Sequence, residues 1–186
     1  MIWVESAAVL LGVGYLLLAI LERRSCWIAG GLASLLFLGI FWRASLPQQA
    51  LLQLYYMGVA AHGFRHWAAS DGSPLPITRW RARYHLAAAC AVAVAVLGSL
   101  LLRDALGDQR AWLDAATSWG SVLATWMMAQ KRLEAWLYWI LIDAVSVLMY
   151  LDAGLEPTAG LYLLYTILAV VGWLKWRSTS LHPSAA

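Results

Sequence analysis

Charge is scarce in this chain. Only 12% of the residues are Asp, Glu, Lys or Arg, about half the share of a soluble domain. With 62% hydrophobic residues and a mean hydropathy of +0.68, that scarcity excludes a water-soluble globule and implies an integral membrane protein with several spans. Cysteine is nearly missing. Cys26 and Cys90 both fall inside apolar runs, which excludes a disulfide framework and a thiolate metal site. His62 and His66 have no third partner at ligand spacing, and His85 stands alone. No metal and no cofactor is therefore expected. There is no glycine loop of the phosphate-binding kind, and Ser34, Ser118, Ser121 and Ser146 have no paired base. No enzyme is expected. Apolar and polar residues do not alternate, which leaves helices rather than barrel strands to cross a bilayer. The opening Met1-Ile2-Trp3-Val4-Glu5 lacks a basic stretch before its span-length apolar run, so no cleavable signal is expected.

What the chain does have is tryptophan, 12 residues of it, more than interfacial belts require. Seven helical spans are expected, at 3–21, 26–42, 48–67, 85–102, 111–130, 133–151 and 159–176. A polar loop at 70–74 follows the third, and a disordered tail is expected from Ser178. Ten of the 13 Lys and Arg residues fall on one side of these spans. Only Arg43, Arg103 and Arg110 fall on the other. The positive-inside rule then puts the N-terminus outside and the C-terminus in the cytoplasm. The basic residues are spread over span ends, so the sequence pI of 9.0 implies no nucleic-acid partner.

The sixth span holds an acid near its middle. Trp136, Trp139, Asp143, Ser146 and Tyr150 recur every three or four residues and share one helical face, opposite Leu, Ile, Val and Met. Ionisable residues inside a span face a pocket or a path by default. Asp143 is therefore the expected centre of a binding site, with Ser146, Gln53 and Tyr56 as hydroxyl partners and Tyr162 and Tyr165 facing them. Trp119 and Trp126, with Gln130, lie on one face of the fifth span and are expected to oppose Asp143. Trp173 and Trp176 read as structural. Gly30, Gly31 and Gly63 read as points of close helix approach.

The chain also resembles itself. Residues 3–67 align with 111–177: Glu22 with Glu134, Trp27 with Trp139 and Ser34 with Ser146. After a loop three residues longer in the first copy, Tyr56 aligns with Tyr165, Gly63 with Gly172 and Trp67 with Trp176. This register puts Gly31 opposite Asp143. Two three-span copies joined directly would be inverted; one further span, within 80–103, makes them parallel. The expected fold is all-α and integral to the membrane, seven transmembrane helices in 3+1+3 parallel repeats forming a single domain over 1–186. In such folds the substrate sits between the repeats.

Glu134-x-Trp136-x-Tyr138-Trp139-Ile140-x-x-Asp143-x-x-Ser146, followed by Tyr162-x-x-Tyr165-Thr166 and Trp173-x-x-Trp176, resembles the PnuC family of vitamin transporters. Glu22, Cys26-Trp27 and Gln53-x-x-Tyr56 fit the same family. Arg23 and Ala135 stand where Asn is frequent. The resemblance implies a fold related to the SWEET sugar transporters, a homotrimer in the bacterial inner membrane, and facilitated uptake of a vitamin trapped inside by phosphorylation. Nicotinamide riboside is the expected substrate, with thiamine as the alternative. Both carry a flat cationic ring, which Trp and Tyr faces attract by about 0.5–2 kcal/mol each and which Asp143 would favour further. A neutral flavin would not need Asp143. A binding subunit of an energy-coupled importer is the other alternative.

Overall fold

The computed structural model describes residues 2–45, 47–68, 75–103 and 111–181. Among them the chain forms α1 (Ile2–Ile20), α2 (Cys26–Arg43), α3 (Pro47–His66), α4 (Ala82–Arg103), α5 (Ala111–Ala129), α6 (Ala135–Asp152) and α7 (Glu156–Leu181). Each expected span falls on one helix. Five of them, α1, α2, α4, α6 and α7, are long and apolar enough to cross a bilayer. The other two fall short because their sequences hold Gln49, Gln53, His62 and His66 on α3 and Asp114, Thr117, Ser118 and Ser121 on α5. The expected loop at 70–74 lies outside the described residues. The expected tail is partly wrong: α7 continues to Leu181. Its last hydroxyls, on Ser178, Thr179 and Ser180, bond back to the carbonyls of Lys175 and Arg177 instead of breaking the helix.

Packing divides the helices into two triplets and one outlier. α2 lies against α1 and α3, and α6 lies against α5 and α7. The triplets meet where α3 touches α5 and where α1 touches α7; α4 lies against α5, outside both. Helix bounds recur with one constant offset. α5 starts and ends 109 residues after α1, α6 after α2, and α7 starts 109 residues after α3.

The turns recur in the same register. Glu22 N bonds to Ala19 O and Arg23 N to Leu18 O; 109 residues later Lys131 N bonds to Met128 O and Arg132 N to Met127 O. Both turns are helix stops with the paired 6→1 and 5→2 bonds, which need a left-handed residue. Glu22 supplies it at φ 56 and Lys131 at φ 49. The next turn matches as well, with Ser45 at φ 58 and Gly154 at φ 71. This register corrects the sequence alignment over the second helices. Trp27 stands with Trp136, not Trp139; Ser34, not Gly31, stands with Asp143; the loop is no longer in one half than in the other. The Glu-x4-Trp pattern at 22–27 and 134–139 misled because a three-residue slip is nearly one helical turn and preserves the apparent face.

Four indoles close the bundle at the end holding Arg23, Arg24 and Lys131. Trp27 lies on Gly63 and Trp136 on Gly172, so closely that a Cβ at either glycine would overlap the ring. Trp27 meets Trp67 edge-on at 5.5 Å and 88°, and Trp136 meets Trp176 at 5.4 Å and 89°. Trp67 and Trp176 meet each other at 5.8 Å. Edge-to-face pairs add about 0.5–1.5 kcal/mol each beyond their buried area. Each of these two indoles also bonds into the other triplet: Trp67 Nε1 donates to Ala129 O (3.0 Å) and Trp176 Nε1 to Ala19 O (3.1 Å).

An ion pair seals the same end. Lys131 is 2% exposed. Its Nζ donates to Glu22 Oε2 (2.8 Å) and Leu75 O (3.0 Å) and stands over the Trp67 ring. The chain entering α4 is tied across the α5–α6 turn. Thr78 N donates to Lys131 O, Leu133 N to Thr78 O, Arg132 Nη1 to Thr78 Oγ1 and Trp80 N to Glu134 Oε2.

Candidate functional site

A cavity of about 590 Å³ lies between the triplets, lined from α1, α2, α3, α5, α6 and α7. It stops at the level of Trp27 and Trp139 and reaches Gln49 and Asp114, near the starts of α3 and α5. It therefore runs from the indole layer toward the opposite end of the bundle. None of its lining residues is Lys, Arg or His, while two, Asp114 and Asp143, are acids.

Helix α6 places Trp139, Asp143, Ser146 and Tyr150 along one wall. Asp143 is 3% exposed, and among the described residues no cation or hydrogen-bond donor is paired with it. Burying an ionised carboxylate without a partner is costly. The site thus favours whatever supplies a positive charge or a proton. Around it the rings are close. Tyr162 stacks on Tyr150 at 5.1 Å and 19° and meets Tyr165 edge-on at 5.9 Å. Gln53, 8% exposed, and Tyr56 enter from α3. The arrangement offers flat aromatic faces, one buried carboxylate and several hydroxyls.

Seven of the ten residues expected at the site line this cavity: Gln53, Tyr56, Trp139, Asp143, Ser146, Tyr162 and Tyr165. Three are elsewhere. Trp119 turns toward α4, where its Nε1 donates to Ser99 Oγ (3.0 Å). Trp126 stacks on His62 at 5.0 Å, and Gln130 bonds the same imidazole. Both tryptophans line a smaller, apolar cavity of about 320 Å³ among α3, α4 and α5. Trp136 is fully buried in the indole layer, against Gly172. Gly30 and Gly63 do permit close approach, Gly30 to the Tyr15 ring, whereas Gly31 has only ordinary contact with Ala60. Trp176 is structural, as expected.

A profile of the nicotinamide mononucleotide transporter family matches residues 2–178. The chain belongs to that family. The resemblance to the PnuC family is thereby borne out, and the chain is a transporter rather than an enzyme. The riboflavin/roseoflavin transporter RibM of Streptomyces davaonensis is 28% identical over 183 residues, which span 94% of this chain and 84% of the relative. The nicotinamide riboside transporter PnuC of Escherichia coli is 25% identical over 207 residues, covering 96% and 86%. A crystal structure of the vitamin B3 transporter PnuC superposes with a TM-score of 0.77 at 20% identity, over 98% of this chain and 83% of that one. It shows that the fold is shared.

In this family member the sequence reading missed one whole wall. Asp114, Thr117, Ser118, Ser121 and Thr125 line the cavity from α5. Their spacing of three, four, seven and eleven residues from Asp114 is a helical stripe. The tryptophans of the same helix form a competing stripe on its opposite face. Tyr15, on α1, carries no pattern in the sequence, and Ser34, on α2, stands out there only as the repeat match of Ser146.

Proposed function

We propose that this protein is a facilitator that carries nicotinamide riboside down its gradient across the bacterial inner membrane, with phosphorylation inside the cell as the trap. The observation that carries the reading is Asp143. Among the described residues it is a buried carboxylate without a partner, set among tyrosines and an indole in a cavity lined by no basic residue. A pyridinium cation would meet aromatic faces and a counter-ion together. Among the described lining residues a phosphorylated substrate would meet acids and no cation.

The constant offset of 109 residues supports two parallel repeats, 3–67 and 111–177, joined through the linker 80–103. With the N-terminus outside, the cavity reaches the outer face and the indole layer closes the cytoplasmic side. Rocking of the triplets would open that layer and break the Lys131–Glu22 pair, giving alternating access. All seven helices then cross the bilayer, α3 and α5 among them, because their polar residues face the cavity or neighbouring helices rather than lipid. Assembly as a homotrimer completes the reading.

The test is uptake by liposomes containing the purified protein alone. Labelled nicotinamide riboside should equilibrate without ATP or an ion gradient, and should accumulate only when a kinase and ATP are enclosed. Absence of equilibration would overturn the proposal, and restoration by an ATP-driven partner would favour a binding subunit instead. Riboflavin is the second reading, favoured by the 28% identity to RibM. It predicts flux of the neutral flavin and indifference to Asp143→Asn. Thiamine shares the cationic ring and is separated by direct competition.

A further inference from the structure

We propose that α5 carries a ladder of hydrogen-bond acceptors that reads the polyol part of the substrate, a ribosyl or ribityl group. This deepens the transport reading by assigning the residues that recognise the hydroxyl-bearing portion. The ladder is Thr117, Ser121 and Thr125, all lining the cavity.

Each hydroxyl has one proton and two lone pairs. Each proton is already committed to the preceding turn. Thr117 Oγ1 donates to Leu113 O (2.9 Å), Ser121 Oγ to Thr117 O (2.8 Å) and Thr125 Oγ1 to Ser121 O (2.7 Å). Ser146 across the cavity does the same with Ile142 O (2.9 Å). Toward the cavity Thr117 and Thr125 therefore present lone pairs, while Ser121 is also hydrogen-bonded to Tyr56. They accept from O–H or N–H donors and offer nothing to carbonyls, phosphates or carboxylates. Asp143 extends the acceptor character across the cavity. Successive rungs are about 6 Å apart along the helix. That suits hydroxyls spread over a five-carbon sugar or sugar alcohol, not a single amine.

Back-bonded hydroxyls are common in helices, so position must argue for function. The other triplet supplies the control. The residues 109 positions earlier are Ala8, Gly12 and Leu16. Helix α1 has the same length as α5 and ends in the same turn without a single hydroxyl at these places. The fold does not require the ladder. It exists in the half that also carries Asp143.

The experiment titrates the full chain in nanodiscs with nicotinamide riboside and with 1-methylnicotinamide, the same cation without the sugar. Thr117→Val and Thr125→Val keep shape and β-branching; Thr117→Ser keeps the hydroxyl. Each valine variant should weaken riboside binding about fivefold, leave 1-methylnicotinamide within about twofold, and Thr117→Ser should restore the wild-type value. An unchanged riboside affinity in both valine variants, or an equal loss for both ligands, would overturn the ladder. Asp143→Asn, by contrast, should weaken both cations, so the two claims fail separately. If the wild type binds riboflavin and not the riboside, the same valine variants are titrated with riboflavin and its ring without the ribityl chain. Selective loss for riboflavin then upholds the ladder and overturns the nicotinamide riboside reading. A wild type that binds neither polyol overturns both.

Discussion

The two triplets, α1–α3 and α5–α7, are alike where they hold each other and unlike where they face the cavity. At the closed end the likeness extends to atoms. Trp27 on Gly63 mirrors Trp136 on Gly172, and the Trp67 and Trp176 indoles each bond a carbonyl of the opposite triplet. In the cavity the likeness survives at Tyr56 and Tyr165 and is otherwise lost. Gly30 stands with Trp139, Ser34 with Asp143, Phe37 with Ser146, and Ala8, Gly12 and Leu16 with the three hydroxyls of α5. Apart from Tyr56 and Tyr165, the positions shared by both halves are those the scaffold needs, and positions that differ are free of that duty.

The largest effect tests the likeness. Gly63→Val and Gly172→Val each drive a side chain into an indole that has no room to retreat. Each should destabilise by about 3 kcal/mol, seen as lost folded yield or a sharply lower thermal midpoint in detergent. The two should match, and a large effect at one glycine alone would break the equivalence. Next come Trp67→Phe and Trp176→Phe. Each removes one bond across the triplets, which should cost about 1–2 kcal/mol; the cost should be the greater for Trp67→Phe, because Ala19 O keeps its bond from Glu22 N. If the indole layer is the inner closure, both should also raise cytoplasmic labelling of a cysteine placed at Thr125. Trp119→Phe and Trp126→Phe sit on the far face of α5, and riboside affinity should stay within about twofold. A larger loss would return them to the site.

Much of this was legible beforehand. Low charge and span-length apolar runs marked seven helices, and the acid at Asp143 inside one of them pointed to the cavity it lines. Gln53, Tyr56, Tyr162 and Tyr165 were found through the internal likeness, since their helices keep register. The second helices lost it, because Glu22 and Glu134 offered a match one turn out of place. Only the hydrogen bonds of the turns, at Glu22 and Lys131, resolve that ambiguity. The facing of α5 was also out of reach. Tryptophans and hydroxyls alternate along it, and periodicity alone does not say which face meets lipid, α4 or a cavity. Nor does sequence reveal that Lys131, a residue normally read as a topology signal, is buried in an ion pair with Glu22.

The central claim is that Asp143 is the counter-ion of a cationic vitamin, held on one wall of an otherwise matched cavity. The direct measurement is tryptophan-fluorescence titration of the wild type, Asp143→Asn and Ser34→Ala with nicotinamide riboside. A hydrogen bond to a charged group contributes about 1.5–3 kcal/mol, so Asp143→Asn should weaken binding roughly tenfold to a hundredfold. Ser34→Ala, at the matching position, removes a neutral hydroxyl from the same cavity and should weaken it by no more than about fivefold. Equal affinity of Asp143→Asn and wild type, in protein that elutes and melts normally, would contradict the account.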